Sequence, residues 1–252
     1  MLIGNPFAPL VSFVSPDILR GYLVLMALAV ALGTSYDLVH GKKAAFFLRD
    51  RRRARAAARR ALGAREGLRL AARTLLIDLA AFGEFCNRAK RIAHALMFYG
   101  FILYVATTVA LVFGYPAERH PPLILPVCWN IGALMTLVGS GWFFFFLRVD
   151  VTHDGQSAWR LRRADLFLAS LLASVAFGLL LEWGELSANM AAIKVLSGLY
   201  GGVTTLLFVT VAWSKFPHMF YKPVLAFQAK RDEASGASDL PPPARERGDD
   251  GG

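Results

Sequence analysis

The chain has 252 residues, of which 56% are hydrophobic, and it carries a formal net charge of +10. Soluble domains usually contain about 45–50% apolar residues, so the composition argues against an ordinary soluble domain. The two cysteines, Cys86 and Cys128, form neither a CxxC pair nor a four-cysteine set. This argues against an iron–sulfur cluster or a structural zinc site within the chain.

Five apolar windows of about 20 residues follow one another along the chain, and this length crosses roughly 30 Å of hydrocarbon. Each is expected to be a helix, because a chain in lipid must satisfy its backbone hydrogen bonds internally. A short outer segment, residues 1–17, precedes them, and no cleavable signal peptide is expected. The windows predict an all-α membrane domain over 18–227, with spans at 18–39, 92–115, 123–147, 165–184 and 195–215.

Positive charge is concentrated on one side of these spans. Residues 41–91 hold 15 Lys/Arg and 4 Asp/Glu, loop 148–164 adds four Arg, and the segment from Lys215 adds six more basic residues. The other side has only Arg20, Arg119 and Lys194. The positive-inside rule then predicts a multi-pass protein of the bacterial cytoplasmic membrane, with its N-terminus outside and its C-terminus in the cytoplasm.

The basic loop carries a helical pattern of its own. Arg65, Arg69 and Arg73 recur at four-residue spacing, and another face is apolar, with Leu68, Ala72, Leu75, Leu76, Leu79 and Cys86. Such a cationic helix can lie on lipid headgroups or dock a soluble subunit, and the two interpretations are compatible. The positive-inside rule explains the arginines without nucleic acid. The polar tail, 228–252, is expected to be disordered.

Three of the five histidines share one depth. His40 ends the first span, His94 begins the second and His218 ends the fifth, so all three are expected near the cytoplasmic interface. Two imidazoles from facing helices can supply both axial ligands of a haem iron. Arg91 and Lys215 lie where cations could meet the haem propionates. Histidines also belong to interfacial belts without any cofactor, so the residues alone leave both interpretations open.

Two stretches around these histidines resemble a known family. RIAHALMFYGF, beginning at Arg91, and WSKFPHMFYKP, beginning at Trp213, are similar to membrane cytochrome b subunits of the nitrate reductase gamma-subunit type. That superfamily includes heterodisulfide-reductase-like anchors and the membrane anchor of adenylylsulfate reductase. The resemblance covers most of residues 18–225. It implies haem b held by His94 and His218, with His40 as an alternative ligand.

The resemblance is incomplete in the outer half of the spans. Two-haem relatives carry a second histidine about ten residues further along span two, roughly 15 Å up the helix. Here Tyr104 stands at that position, and the outer half of span five offers Tyr200. Nearby glycines would allow close helix approach, namely Gly198, Gly201 and Gly202. The resemblance therefore implies at most one haem b, near the cytoplasmic face.

Together these features predict a membrane anchor and electron-transfer subunit. It would link cytoplasmic iron–sulfur or flavin oxidoreductase subunits to quinone, with the quinone site near the haem, and no catalytic residue is predicted. One alternative is a haem-free anchor that only recruits soluble subunits. A small-solute transporter is disfavoured, because few polar residues interrupt the spans. Glu182 and Glu185, beside Trp183 at the outer end of span four, are expected to be interfacial.

Overall fold

The computed structural model describes residues 4–40, 63–73, 88–117, 120–147, 165–186, 189–210 and 227–236. The regular elements in these ranges are helical, and five helices are long and apolar enough to cross a membrane. The chain is therefore an all-α, multi-pass membrane protein, which confirms the predicted fold class. The helices are α1 (Pro16–His40), α2 (Ala64–Arg73), α3 (Arg88–Gly114), α4 (Ile124–Trp142), α5 (Leu166–Leu186) and α6 (Met190–Thr210).

Contacts divide the chain into two compact units. The first comprises Met1–Asp37 and Phe82–Pro217, and the second comprises Leu38–Ala81 and His218–Gly252. The first unit holds the membrane-spanning bundle. We call its two ends the short-turn end, where residues 115–123 join α3 to α4, and the basic end, where α3 begins at Arg88.

The last span begins earlier than the sequence predicts. Helix α6 starts at Met190, whereas the apolar window starts at residue 195. The side chain of Asn189 caps this start, because its Oδ1 accepts hydrogen bonds from the backbone N–H groups of Ala191 and Ala192 at 3.1 and 3.2 Å. Such a cap satisfies N–H groups that have no partner within the helix. The predicted span end at 215 lies outside the described residues.

Helices α3 and α4 form the most extensive helix pair in the bundle, and glycines on α4 bring their backbones together. A Cβ atom at Gly132 would lie 2.6 Å from the backbone N of Tyr104, and one at Gly139 would lie 2.6 Å from that of Met97. From the α3 side, a Cβ at Gly100 would lie 2.7 Å from the backbone N of Thr136. Small residues permit this approach in membranes, where packing drives helix association.

The predicted role of the α6 glycines is wrong. Around a Cβ built at Gly198, Gly201 or Gly202, no described atom lies within 4 Å. These glycines therefore do not mediate close helix contact, although small residues in an apolar span suggested that they would. The close approach occurs between α3 and α4 instead. A glycine permits close packing only where a neighbouring helix crosses the face on which the glycine lies.

Buried polar side chains connect neighbouring spans of the bundle. Trp129 Nε1 donates to Thr108 Oγ1 at 3.0 Å, joining α4 to α3, and the hydroxyls of Ser174 and Thr204 join α5 to α6 at 2.8 Å. These side chains are buried, so water does not compete for their hydrogen bonds. The bonds fix which faces of the helices meet.

Two residues near the end of α5 behave differently from each other. Trp183 is 68% exposed, in agreement with its expected interfacial position. Glu182 is partly buried, and its Oε1 accepts a hydrogen bond from Asn130 Nδ2 of α4 at 3.0 Å. Glu182 thus also takes part in helix–helix contact. The side chain of Glu185 lies outside the described part of the chain.

The N-terminal segment packs into the short-turn end of the bundle. Asn5 Nδ2 donates to the carbonyl of Tyr115 at 2.7 Å, and Asn5 Oδ1 accepts from the N–H of Phe7 at 3.0 Å. Phe7 and Leu10 are only 4% and 6% exposed. Residues 4–15 are therefore an integral cap of the bundle, where the sequence suggested only a short outer segment.

Helix α2 belongs to the second unit and confirms the predicted helix over residues 64–73. Glu66 in its first turn and Arg73 in its last turn both suit the helix dipole. Arg65 and Arg69 are exposed, and Leu68 is 72% exposed. An exposed leucine beside a cationic stripe fits the predicted surface-binding helix. The rest of the predicted pattern, over 74–87, lies outside the described residues.

The tail differs from the expected disorder. Residues 227–235, with the sequence FQAKRDEAS, form a short helix in which Gln228 and Ser235 are buried. Ala, Gln, Lys, Arg and Glu are strong helix formers, and they outweigh the polar character of this stretch. Gly236, at φ 71°, ends the helix, and its N–H bonds the carbonyl of Glu233 at 3.1 Å. The remaining tail lies outside the described residues.

Candidate functional site

His94 lies near the start of α3, at the basic end of the bundle, and its side chain is half-buried. Its neighbour Ala93 is fully buried, and the Ala93 carbonyl would lie 2.8 Å from a Cβ built at Gly139 of α4. This close packing fixes the turn of α3 that carries the histidine. The imidazole is therefore presented at a defined position, and in its neutral form it can ligate a metal.

Phe143 of the next span packs against His94. The two ring centroids are 4.7 Å apart and the planes meet at 82°, an edge-on contact. Phe143 begins a π-helical turn, Phe143–Leu147, that continues α4. Such turns are rare and occur frequently at functional sites. The sequence did not lead to a prediction for Phe143. The phenylalanine run at 143–146 could have indicated this residue, because α3 and α4 are antiparallel neighbours and the run lies at the depth of His94.

The cation predicted at this end, Arg91, lies on the same helix as the histidine. Arg91 precedes His94 by nearly one helical turn and is exposed, while Lys90 is partly buried. An exposed guanidinium beside a half-buried imidazole is compatible with contact to an anionic group at the water edge. Lys215, the other residue predicted for the propionate side, lies outside the described residues.

The predicted partners of His94 lie beyond what the structure describes. His218 falls in the segment 211–226, and His40 is the last residue of α1, with its side chain outside the described part. Within the described ranges, no group of three or more His, Cys, Asp or Glu side chains could hold a metal ion. His94, Phe143 and Arg91 are the part of the candidate haem site that the structure brings together.

The two tyrosines at the outer positions, Tyr104 and Tyr200, contact each other. Their hydroxyl oxygens are 2.9 Å apart and form a hydrogen bond between α3 and α6. Tyr104 is only 5% exposed, and its ring lies 5.1 Å from that of Trp129. The sequence placed both tyrosines in the outer half, and the structure joins them.

Gly178 of α5 leaves the space that this tyrosine pair needs. A Cβ at Gly178 would lie 2.8 Å from Tyr104 Oη and 3.3 Å from Tyr200 Cε2. Phe7 closes the cluster from the N-terminal segment, with its ring 6.0 Å from Trp129 and 6.5 Å from Tyr200. The position of a second haem ligand is therefore occupied by packed aromatic rings.

Comparisons with known proteins give one partial match. No protein-family model and no solved structure matches the chain. Citrate utilization protein B of Escherichia coli is 28% identical over 153 residues, which cover 56% of this chain and 39% of that protein. The chain therefore matches well under half the length of this curated relative. At this identity and coverage, the similarity does not establish a family.

Proposed function

We propose that the chain is the membrane anchor and electron-transfer subunit of an oxidoreductase complex, related to the nitrate reductase gamma-type cytochromes. It would hold one haem b near the cytoplasmic face and link soluble iron–sulfur or flavin subunits to membrane quinone. The observation that carries this proposal is the asymmetry of α3. An imidazole is presented at the basic end, whereas Tyr104 is closed off in aromatic packing about ten residues further on.

The surroundings of His94 suit a haem ligand. Its half-buried side chain packs edge-on against the apolar ring of Phe143, and the exposed Arg91 precedes it by three residues. Haem needs an apolar pocket for the macrocycle and cations near the propionates, and a bound haem b would supply a one-electron centre inside the membrane. In this proposal His94 and His218 are the axial ligands, His40 is the alternative ligand, and Arg91 and Lys215 face the propionates.

The basic side of the protein is proposed as the docking side. Helix α2 presents exposed arginines, and the loop 41–91 holds 15 Lys/Arg. By the positive-inside rule this side faces the cytoplasm of a bacterial cell, with the N-terminus outside. More than half of Citrate utilization protein B lies outside the aligned region. This is compatible with a membrane part that works together with a second part, here a separate subunit.

The test is a reduced-minus-oxidised absorption spectrum of the purified full-length chain. We expect a b-type signal that is lost in His94→Ala and in His218→Ala. His120→Ala is the matched control, because His120 is exposed in the short turn. It should keep the full signal.

Other outcomes would change the proposal in defined ways. A wild-type chain that folds, recruits soluble subunits and shows no b-type signal would be the haem-free anchor. A signal that survives both substitutions would overturn the ligand assignment. Two haems per chain would contradict the role given to the tyrosine pair.

A further inference from the structure

A cavity of about 370 Å³ lies in the bundle and extends from the N-terminal segment to Phe208 of α6. The N-terminal segment and four spans, α1, α3, α5 and α6, form its walls. This volume falls within the range of small-molecule sites, about 300–1,000 Å³. All of its walls belong to the first compact unit. The cavity is therefore part of the bundle, and neither His94 nor Phe143 lines it.

The cavity exists because α1 stands away from α6. Met26 is the only buried side chain among those described in α1, and Tyr22 connects the two helices by donating to the carbonyl of Gly201 at 3.0 Å. On the facing side, Gly198 and Gly201 line the cavity, and a Cβ at either would meet open space. Larger side chains at these positions would fill the cavity.

The cavity is continuous with the surface of the bundle. Ile18 and Val109 line it and are themselves 63% and 42% exposed, and Gly198 is also exposed. Along α6 the lining runs from Lys194 to Phe208, a distance of roughly 21 Å at the helical rise. The hydrocarbon of one leaflet is about 15 Å deep. Along α6 the cavity is therefore longer than one leaflet is deep, which gives an acyl chain room along its length.

The interior of the cavity suits hydrocarbon better than a polar ring. Its polar side chains bond each other or the backbone: Tyr104 with Tyr200, Ser174 with Thr204, and Tyr22 with Gly201 and Thr205. These bonds satisfy much of the hydrogen-bonding capacity of the polar side chains, so the cavity offers few free partners to a quinone carbonyl or to water. An acyl chain needs none.

A cation lies at the mouth of the cavity. Lys194 is exposed, and its Nζ is 6.0 Å from the centroid of the Phe13 ring. Within the described residues the ion pair recorded is Arg20 with Asp17, so no described carboxylate lies within 4 Å of Lys194. On a side with only three basic residues in the sequence, this ammonium favours an anionic headgroup.

We propose that this cavity binds one acyl chain of an anionic phospholipid, with the lipid phosphate on Lys194. The lipid would fill the gap between α1 and α6 and hold α1 against the bundle. This inference does not depend on the haem proposal, because neither His94 nor Phe143 lines the cavity.

The test uses the full-length chain, purified in detergent and delipidated. Phosphatidylglycerol and phosphatidylcholine with the same acyl chains are added separately, and binding is measured by native mass spectrometry. We expect one tightly held phosphatidylglycerol. In Gly198→Leu, affinity should fall by about tenfold or more, because the leucine side chain fills space that the acyl chain would occupy. Gly202→Leu is the matched control, because Gly202 is exposed and does not line the cavity.

Lys194→Gln tests the headgroup contact without filling the cavity. It should remove the preference for phosphatidylglycerol over phosphatidylcholine and leave phosphatidylcholine binding unchanged. If Gly198→Leu does not fold, Gly198→Ala and Lys194→Gln still decide the question. Equal lipid binding by the Gly198 and Gly202 variants would overturn the proposal, and so would displacement of the lipid by an added quinone. The b-type spectrum of the same samples reports separately on the haem proposal.

Discussion

The two halves of α3 hold their ring side chains in opposite ways. Towards the short-turn end, Tyr104 is 5% exposed, its hydroxyl bonds Tyr200, and its ring packs on Trp129. At the basic end, His94 is only half-buried and meets Phe143 edge-on. A buried ring whose polar group is hydrogen-bonded contributes to stability, whereas a partly exposed ring can bind a ligand. The comparison shows a packed ring in one half and a partly exposed imidazole in the other, where the haem is proposed.

The largest effect on stability is expected in the half of the bundle that contains Tyr104. Trp129 is fully buried, so Trp129→Ala should lower the free energy of unfolding by about 3–5 kcal/mol, because it leaves a cavity and removes the bond to Thr108. Trp183→Ala is the matched control, since Trp183 is 68% exposed, and it should change stability by less than about 0.5 kcal/mol. Far-UV circular dichroism during unfolding in detergent measures both. Equal losses would show that Trp129 does not anchor this half.

A second prediction separates the halves by their glycines. Gly132→Ala and Gly139→Ala each place a methyl group 2.6 Å from the α3 backbone, so each should lower stability by about 1–3 kcal/mol. Only Gly139→Ala should also alter the surroundings of His94, because Gly139 faces Ala93 in the same turn. A change in the surroundings of His94 can be measured as a change in its rate of modification by diethylpyrocarbonate. The exposed His120 serves as the internal reference. The same rate change in both variants would remove the distinction between the halves.

The spans could be predicted from the sequence because lipid imposes a length and an apolar composition on every crossing helix. Which glycines lie at helix contacts could not be predicted from the sequence. A Cβ at Gly132 or Gly139 would meet a neighbouring helix, while one at Gly198 or Gly202 would meet no described atom within 4 Å, although all four lie within apolar spans. Which face of a helix meets a partner depends on the whole packing arrangement. Local sequence does not encode it.

For the candidate site, too, some features could be predicted from the sequence and others could not. Depth along a helix follows from residue number, so the positions of His94, Tyr104 and Tyr200 could be predicted from the sequence. The contact of Tyr104 with Tyr200 and that of His94 with Phe143 could not, because each depends on how helices are rotated against each other. The pairing of His94 with His218 remains a prediction.

The tyrosine hydrogen bond should have a moderate effect. Tyr104→Phe and Tyr200→Phe each remove one partner of a buried bond, and each should lower stability by about 0.5–1.5 kcal/mol. The double variant should lose less than the sum, because both substitutions remove the same bond. Unfolding of the four proteins gives the coupling energy. Strict additivity would show that the two hydroxyls do not stabilise each other.

The smallest expected change in stability lies at the basic end, where it has the most diagnostic value. Phe143→Leu keeps an apolar side chain but removes the edge-on ring contact with His94, a contact worth about 0.5–1.5 kcal/mol between aromatic rings. Phe146→Leu is its matched control, because Phe146 belongs to the same π-helical turn and is 75% exposed. The Phe143 variant should change the modification rate of His94, or the b-type spectrum if haem is bound, and the Phe146 variant should not. If both variants match the wild type, the ring of Phe143 does not organise this end, and the contrast between the two halves of α3 rests on burial alone.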